Sequence, residues 1–134
     1  MAFLIDSSLF VAFERSGESP ATFMDRLGDQ EVALAAITAS ELLHGVHRAD
    51  SAVRRGRRER FVETVLSTVP VLPFTLEVAR THSRFWADLQ MRGEIIGAHD
   101  LLIAATALTH KMSVATLNQR HFGRVPDLQL ELWL

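Results

Sequence analysis

The 134-residue chain has no cysteine. Disulfides, thiolate metal sites and cysteine nucleophiles are therefore excluded, and the composition suits a reducing cytosol. Lysine is scarce too: Lys111 is the only one, so the remaining positive charge is carried by arginine. No apolar stretch approaches the ~18 residues that a membrane span needs. The opening Met1-Ala2-Phe3-Leu4-Ile5-Asp6 has no basic region and meets an acid at once, unlike a signal peptide. A cytoplasmic protein without a membrane partner is expected. A net positive charge is also lacking: the formal value is −2, so the whole molecule is not a basic nucleic-acid binder. There is no Gly-x-x-x-x-Gly-Lys-Ser/Thr loop, no Gly-x-Gly-x-x-Gly fingerprint and no Gly-x-Ser-x-Gly elbow. Nucleotide hydrolysis on a phosphate loop, dinucleotide redox chemistry and serine-hydrolase chemistry lose their usual signatures.

What is present fits one globular domain over 1–134. The chain is 48% hydrophobic and 22% charged, and long enough for one substantial core. Strand and helix signals alternate. Residues 2–5 read as a strand that runs into Asp6-Ser7-Ser8, a helix start. Gly17 and Pro20 break the chain, and Gly28 stops a short second helix. Residues 31–37 read as strand two. Thr38-Ala39-Ser40-Glu41 then matches a capping box, with Thr38 as cap and Glu41 at the third helical position. An amphipathic helix is expected over 51–67. Residues 69–74 are extended, and Pro70 and Pro73 suggest a sheet edge. Thr75 caps the next helix, which Gly93 ends. The helix from His99 to about His110 is apolar on nearly all sides, so it should be deeply buried. Residues 113–116 and 128–132 read as the last strands. Such alternation predicts an α/β fold, with a mostly parallel sheet covered on both faces.

Three acids stand at informative places. Asp6 closes the first apolar strand. Glu41 lies about one helical turn after the second. Asp100 opens the run Leu101-Leu102-Ile103-Ala104-Ala105, near the positive end of a buried helix. In open parallel sheets, sites form beyond the carboxyl ends of the strands. Asn118 follows the strand ending at Thr116 and can share that rim. Carboxylates gathered in a core are costly to desolvate and repel one another, unless a divalent cation sits between them. A pocket of oxygen ligands suits Mg²⁺ or Mn²⁺ better than zinc. The expected chemistry is metal-dependent phosphoryl transfer.

Singly, each residue has a plainer explanation. Asp6 can cap the first helix, Glu41 can complete the capping box, and Asp100 can be a first-turn acid. Asn118 can be a turn residue in a left-handed conformation. Only the conjunction favours a site. Six arginines between residues 48 and 60, among them Arg54, Arg55, Arg57 and Arg58, form a patch that can bind phosphate bidentately. They can equally be a solvated helix face paired with Asp50, Glu59 and Glu63. His44 and His47 lie three apart but lack the His-Glu-x-x-His pattern, and read as exposed or packing residues. His99 reads as a loop residue beside Asp100, and His121 as a residue near Asn118 within reach of a substrate phosphate.

Four segments, in order, resemble one family. They are Leu4-Ile5-Asp6-Ser7-Ser8, then Ile37-Thr38-Ala39-Ser40-Glu41-Leu42-Leu43-His44-Gly45, then Gly97-Ala98-His99-Asp100-Leu101-Leu102-Ile103-Ala104-Ala105. The last is Ala115-Thr116-Leu117-Asn118-Gln119-Arg120-His121-Phe122, followed by Val125-Pro126 and Leu132-Trp133. The chain resembles the PIN-domain family, specifically the small VapC-type toxins of bacterial toxin–antitoxin pairs. The resemblance implies a three-layer α/β/α sandwich, usually dimeric, and a Mg²⁺- or Mn²⁺-dependent endoribonuclease that cleaves tRNA or rRNA. It also implies inhibition by a cognate VapB-type antitoxin that lays a C-terminal segment over the active site. Asp6, Glu41 and Asp100 carry over as the acidic triad. Many PIN domains have a fourth acid where this chain has Asn118. An amide can bind metal or orient water but adds no charge, so one firm metal is expected.

On those positions, Asp6 and Asp100 would hold the metal and Glu41 would add a ligand or orient a water. Thr116 and Asn118 would support the ligand shell. In-line attack by hydroxide would leave a 5′-phosphate. The arginine patch would meet RNA or antitoxin. Two other classes compete: a catalytically weakened PIN-like protein-binding module, which Asn118 favours, and a phosphatase or phospho-acceptor domain. A phospho-acceptor domain should carry a lysine after its last strands, whereas Lys111 precedes strand four.

Overall fold

The protein was analysed as a computed structural model, and the structure describes residues 2–131. Five strands are present among them: β1 (Ala2–Ile5), β2 (Glu31–Ala35), β3 (Val71–Leu72), β4 (Ser113–Ala115) and β5 (Leu130–Glu131). The helices are α1 (Ser7–Arg15), α2 (Pro20–Leu27), α3 (Ala36–His47), α4 (Ala52–Thr68), α5 (Leu76–Met91), α6 (Ala98–His110) and α7 (Gln119–Phe122). The sheet order is β3-β2-β1-β4-β5, and every neighbouring pair is parallel. The α/β fold with a parallel sheet is as expected, and β3 with its flanking prolines does lie at an edge. The expected last strand reached Leu132, which lies outside the described residues, as does Trp133.

Alternation along β1 explains the layers. Successive side chains in a strand point to opposite faces. Phe3 and Ile5 join a core with Phe10, Phe13, Phe23, Leu42, Phe61 and Val65, between the sheet and α1 to α4. Leu4 points the other way, into a core with Ala33, Ile103, Ala104, Ala107, Val114 and Phe122, where α6 is the main cover. That double burial is why β1 and α6 are apolar almost throughout. Thr75 caps α5 through its side chain, and Gly28 and Gly93 close α2 and α5 at positive φ.

The capping box is not formed. Helix α3 begins at Ala36, two residues before Thr38, with Ala35 as its cap residue. Ala35 and Ala36 propagate a helix readily, so β2 turns directly into α3. Thr38 falls inside the first turn, is fully buried, and its Oγ1 has no hydrogen-bond partner. Glu41 becomes the sixth helical residue, too far along to reach back to the helix start.

Candidate functional site

The strand order reverses its direction of growth between β1 and β4, and clefts open at the carboxyl ends of strands at such a switch point. Asp6 and Thr116 occupy those two ends. The backbone N–H of Asp6 donates to the carbonyl of Ala115 at 2.9 Å, locking the two strand ends together. Asp6 stands at the cap position of α1 but makes no side-chain cap hydrogen bond. Its carboxylate is buried and turned inward: Oδ2 accepts from Ser8 Oγ and from Thr116 Oγ1, each at 2.8 Å. Ser7 Oγ stands 3.5 Å from Oδ1. Thr116 Oγ1 in turn accepts from the backbone N–H of Asn118 at 2.8 Å. Ser8 was not anticipated as a site residue; its spacing from Asp6 was the available signal.

Glu41 reaches the same rim from α3. Its Oε2 is 3.5 Å from His99 Nδ1, while its Oε1 is buried without a hydrogen-bond partner. Burial pushes the Glu41 carboxyl above its ordinary range; His99 opposes this, and Asp6 and Asp100 add to it. Asp100 arrives in the first turn of α6, with Oδ2 3.2 Å from His121 Nδ1. Its carboxyl is also raised, first by burial and then by Asp6, against the pull of His121 and His99. The three acids therefore act on one another electrostatically. Yet among the described residues no three His, Cys, Asp or Glu side chains are drawn tightly enough to hold a metal as they stand. Glu41 and Asp100 are each turned toward an imidazole. The donor chemistry still fits a hard cation, and the orphaned Glu41 Oε1, costing about 1–3 kcal/mol, is an acceptor that a cation would satisfy.

His99 lies in α6 rather than in a loop. His121 stands against Asp100, where sequence reasoning had placed it only near Asn118. Asn118 precedes α7 with φ −109° and makes no side-chain cap hydrogen bond, so the left-handed turn that was its plainer explanation is not adopted.

Of the arginine patch, much is committed to the fold. Arg58 donates from Nε to Glu14 at 3.2 Å and from Nη1 to the carbonyl of Gly45 at 2.8 Å. Arg54 pairs with Asp50 and Arg55 donates to the carbonyl of Ala49. Arg57 is exposed. A cleft of about 750 Å³ runs from Glu41 and His99 to Arg15, Arg48 and Arg58, over a floor of Phe10, Leu42 and Phe61. Among the described residues no helix is long and apolar enough to cross a membrane.

Comparison with known proteins agrees with this fold. The family model described as PIN domain matches residues 3–128. Ribonuclease VapC1 of Rickettsia felis is 37% identical over 130 residues, covering 97% of this chain and 95% of its own length. VapBC2 of Rickettsia felis, solved bound to a DNA fragment from its promoter, superposes with a TM-score of 0.87 at 24% identity, over all of both chains. VapBC-5 of Mycobacterium tuberculosis, from the VapBC family of toxin–antitoxin systems, superposes with a TM-score of 0.76 at 26% identity, over 97% of this chain and 95% of that one. With Asp6, Glu41 and Asp100 on one rim of the matching fold, the chain belongs to the PIN-domain family, on its VapC-type branch.

Proposed function

We propose that the protein is the toxin of a toxin–antitoxin pair: a cytoplasmic, divalent-metal-dependent endoribonuclease that cuts tRNA or rRNA and so stops translation. The observation that carries this is the convergence of Asp6, Glu41 and Asp100, from three distant parts of the chain, on one rim where their charges interact. The ribonuclease name of the 37%-identical relative supports the activity.

Asp6, Asp100 and Glu41 would hold Mg²⁺ or Mn²⁺. When bound, such an ion supplies Lewis-acid stabilisation of phosphate charge and lowers the pKa of water. The chain's own part is preorganisation. Ser8 and Thr116 fix Asp6 Oδ2, which leaves Oδ1 the freer oxygen. Oε1 of Glu41 is a buried acceptor without a hydrogen-bond partner, which a cation would satisfy. Asn118 contributes its backbone N–H to Thr116. The RNA enters as substrate on the open rim of the sheet.

A cognate VapB-type antitoxin would occupy the cleft beside Glu41. Its apolar floor and arginine wall suit a segment carrying both apolar and acidic side chains. A homodimer would use the exposed apolar face of α5. A catalytically weakened binding module is the second reading, favoured by Asn118 and by carboxylates that are not yet gathered.

The deciding experiment incubates purified protein with total RNA and Mg²⁺ or Mn²⁺ and maps new 5′ ends. Discrete cuts carrying 5′-phosphate, lost with EDTA and in Asp100→Asn, are expected. Absence of metal-dependent cuts would leave the binding module.

A further inference from the structure

Helices α1 and α3 pack side by side and run the same way from the acid rim. At the rim Asp6, which precedes α1, and Glu41, on α3, act on one another electrostatically. At the far end Arg58 ties the pair together, donating to Glu14 of α1 and to the Gly45 carbonyl of α3. Residues at i, i+3, i+4, i+7 and i+8 share one face of a helix. Ser7, Val11 and Arg15 on α1 therefore form one stripe, and Glu41, His44 and Arg48 on α3 another. All six line the cleft.

The groove is thus acidic at one end and cationic at the other. Arg15 and Arg48 are exposed, and among the described residues neither guanidinium has an ion-pair or hydrogen-bond partner. Arg54, Arg55 and Arg58 differ, being committed to Asp50, the Ala49 carbonyl and Glu14. Because Arg58 already matches the charge of Glu14, that acid does not cancel Arg15 or Arg48. At about 1.5 Å per residue, Arg48 lies about 10 Å along α3 from Glu41, and Arg15 about 14 Å along α1 from Asp6. A stacked strand rises about 3.4 Å per nucleotide, so the arginines stand about three or four nucleotides from the acids. A guanidinium keeps its charge and can hold a phosphate through two parallel N–H donors.

Resting on the ribonuclease reading above, we propose that Arg15 and Arg48 form a distal phosphate subsite, gripping the RNA backbone about three or four nucleotides from the scissile phosphate and laying the strand along the α1–α3 groove. Such a contact carries no base information; it sets the register of the strand over the acids. A polyanion with regularly spaced charges suits both ends at once, with one phosphate at the cation that the acids would hold and another at the arginines. Local placement of the two cations lets a chain of formal net charge −2 bind RNA.

The test reads binding and cutting separately, with the full chain. Labelled bulk transfer RNA is titrated in EDTA at several salt concentrations. Arg15→Gln with Arg48→Gln should weaken binding by about tenfold and lower the slope of log affinity against log salt by about 1.4 to 1.8, at about 0.7–0.9 per phosphate. With Mn²⁺ the same pair should raise KM by about tenfold and leave kcat within about twofold. Lysine at both positions keeps the charge and should restore most of the slope. Arg80→Gln with Arg84→Gln removes equal charge from the exposed surface of α5, across the sheet, and should change neither slope nor KM. If the Arg15 and Arg48 pair leaves slope and KM unchanged while Asp100-dependent cuts persist, the subsite falls and the ribonuclease stands. An equal loss from the α5 pair would reduce the effect to net charge and overturn the subsite too. Loss of poly-glutamate binding without loss of RNA binding would assign the arginines to a protein partner, with the same result. Wild type that neither binds RNA nor cuts it with Mg²⁺ or Mn²⁺ would overturn the ribonuclease reading as well.

Discussion

Thr116 Oγ1 donates to Asp6 Oδ2 at 2.8 Å, joining residues 110 positions apart. The bond ties the end of β4 to the end of β1 at the point where the sheet changes direction. It also connects onward, because the same hydroxyl accepts from the Asn118 N–H. Orientation of the first acid thus depends on a strand that the chain completes much later.

Thr116→Val tests that relay at nearly constant volume. Asp6 loses a buried donor and the Asn118 N–H loses its acceptor. Metal affinity should fall by about 10–100-fold, and stability by about 1–3 kcal/mol. Calorimetric metal titration and chemical denaturation check both. Unchanged metal affinity would show that Ser8 alone suffices to orient Asp6.

Burial raises the carboxyls of Glu41 and Asp100 from ordinary values of 4.5 and 3.8. The folded protein therefore binds these protons more tightly than the unfolded chain. The stabilising contribution is complete below the ordinary values and is lost as pH rises through the raised ones. Above that window the ionised pair is carried at a cost. In EDTA, Glu41→Gln and Asp100→Asn should each be more stable than wild type at neutral pH. The gap should close toward pH 4. A gap that widens on acidification would contradict the direction of the shifts.

Arg58 and Arg57 are sequence neighbours with different tasks. Arg58 joins α4 to α1 and α3 through Glu14 and the Gly45 carbonyl. Arg58→Ala should destabilise by about 1–2 kcal/mol, whereas Arg57→Ala should stay within about 0.5 kcal/mol. Urea denaturation reads both. Charge removal at Arg54, Arg55 and Arg57 together should lower the salt dependence of RNA binding if this face meets phosphate. An unchanged slope would reassign the face to antitoxin or solvent.

Five of the exposed large apolar residues, Phe74, Leu76, Trp86, Met91 and Ile95, fall in or beside α5, from 49% to 87% exposed; Val53, at 71%, is the most exposed of those elsewhere among the described residues. Contiguous exposed apolar surface marks association sites. Trp86→Glu with Met91→Glu should convert the dimer to a monomer in sedimentation velocity, without loss of the folded signal. A persistent dimer would move the interface elsewhere.

Several features were legible in the chain because they depend on neighbours in sequence. Apolar 2–5 could only be a short buried strand, Thr75 capped the helix that follows it, and Gly28 and Gly93 supplied the positive φ that ends α2 and α5. The all-round apolar character of 99–110 announced a deeply buried helix; that the sheet and α5 cover it came from the structure. Local rules also misled, for the same reason. Thr38 to Glu41 satisfies a capping pattern, but β2 passes straight into α3 at Ala35 and Ala36, and the packing of Thr38 into the core outweighs a cap that offers it one hydrogen bond.

What the sequence determined alone was the set of acids, their order, and the alternation that makes a parallel sheet. What only the tertiary structure decided was who meets whom. Sheet order set Thr116, rather than an α1 backbone amide, as the partner of Asp6. Helix phase set His99 against Glu41 and His121 against Asp100. The long reach of Arg58 took it out of the arginine patch and into the fold. These choices turn on angles and distances accumulated over the whole chain, which spacing along the sequence does not encode.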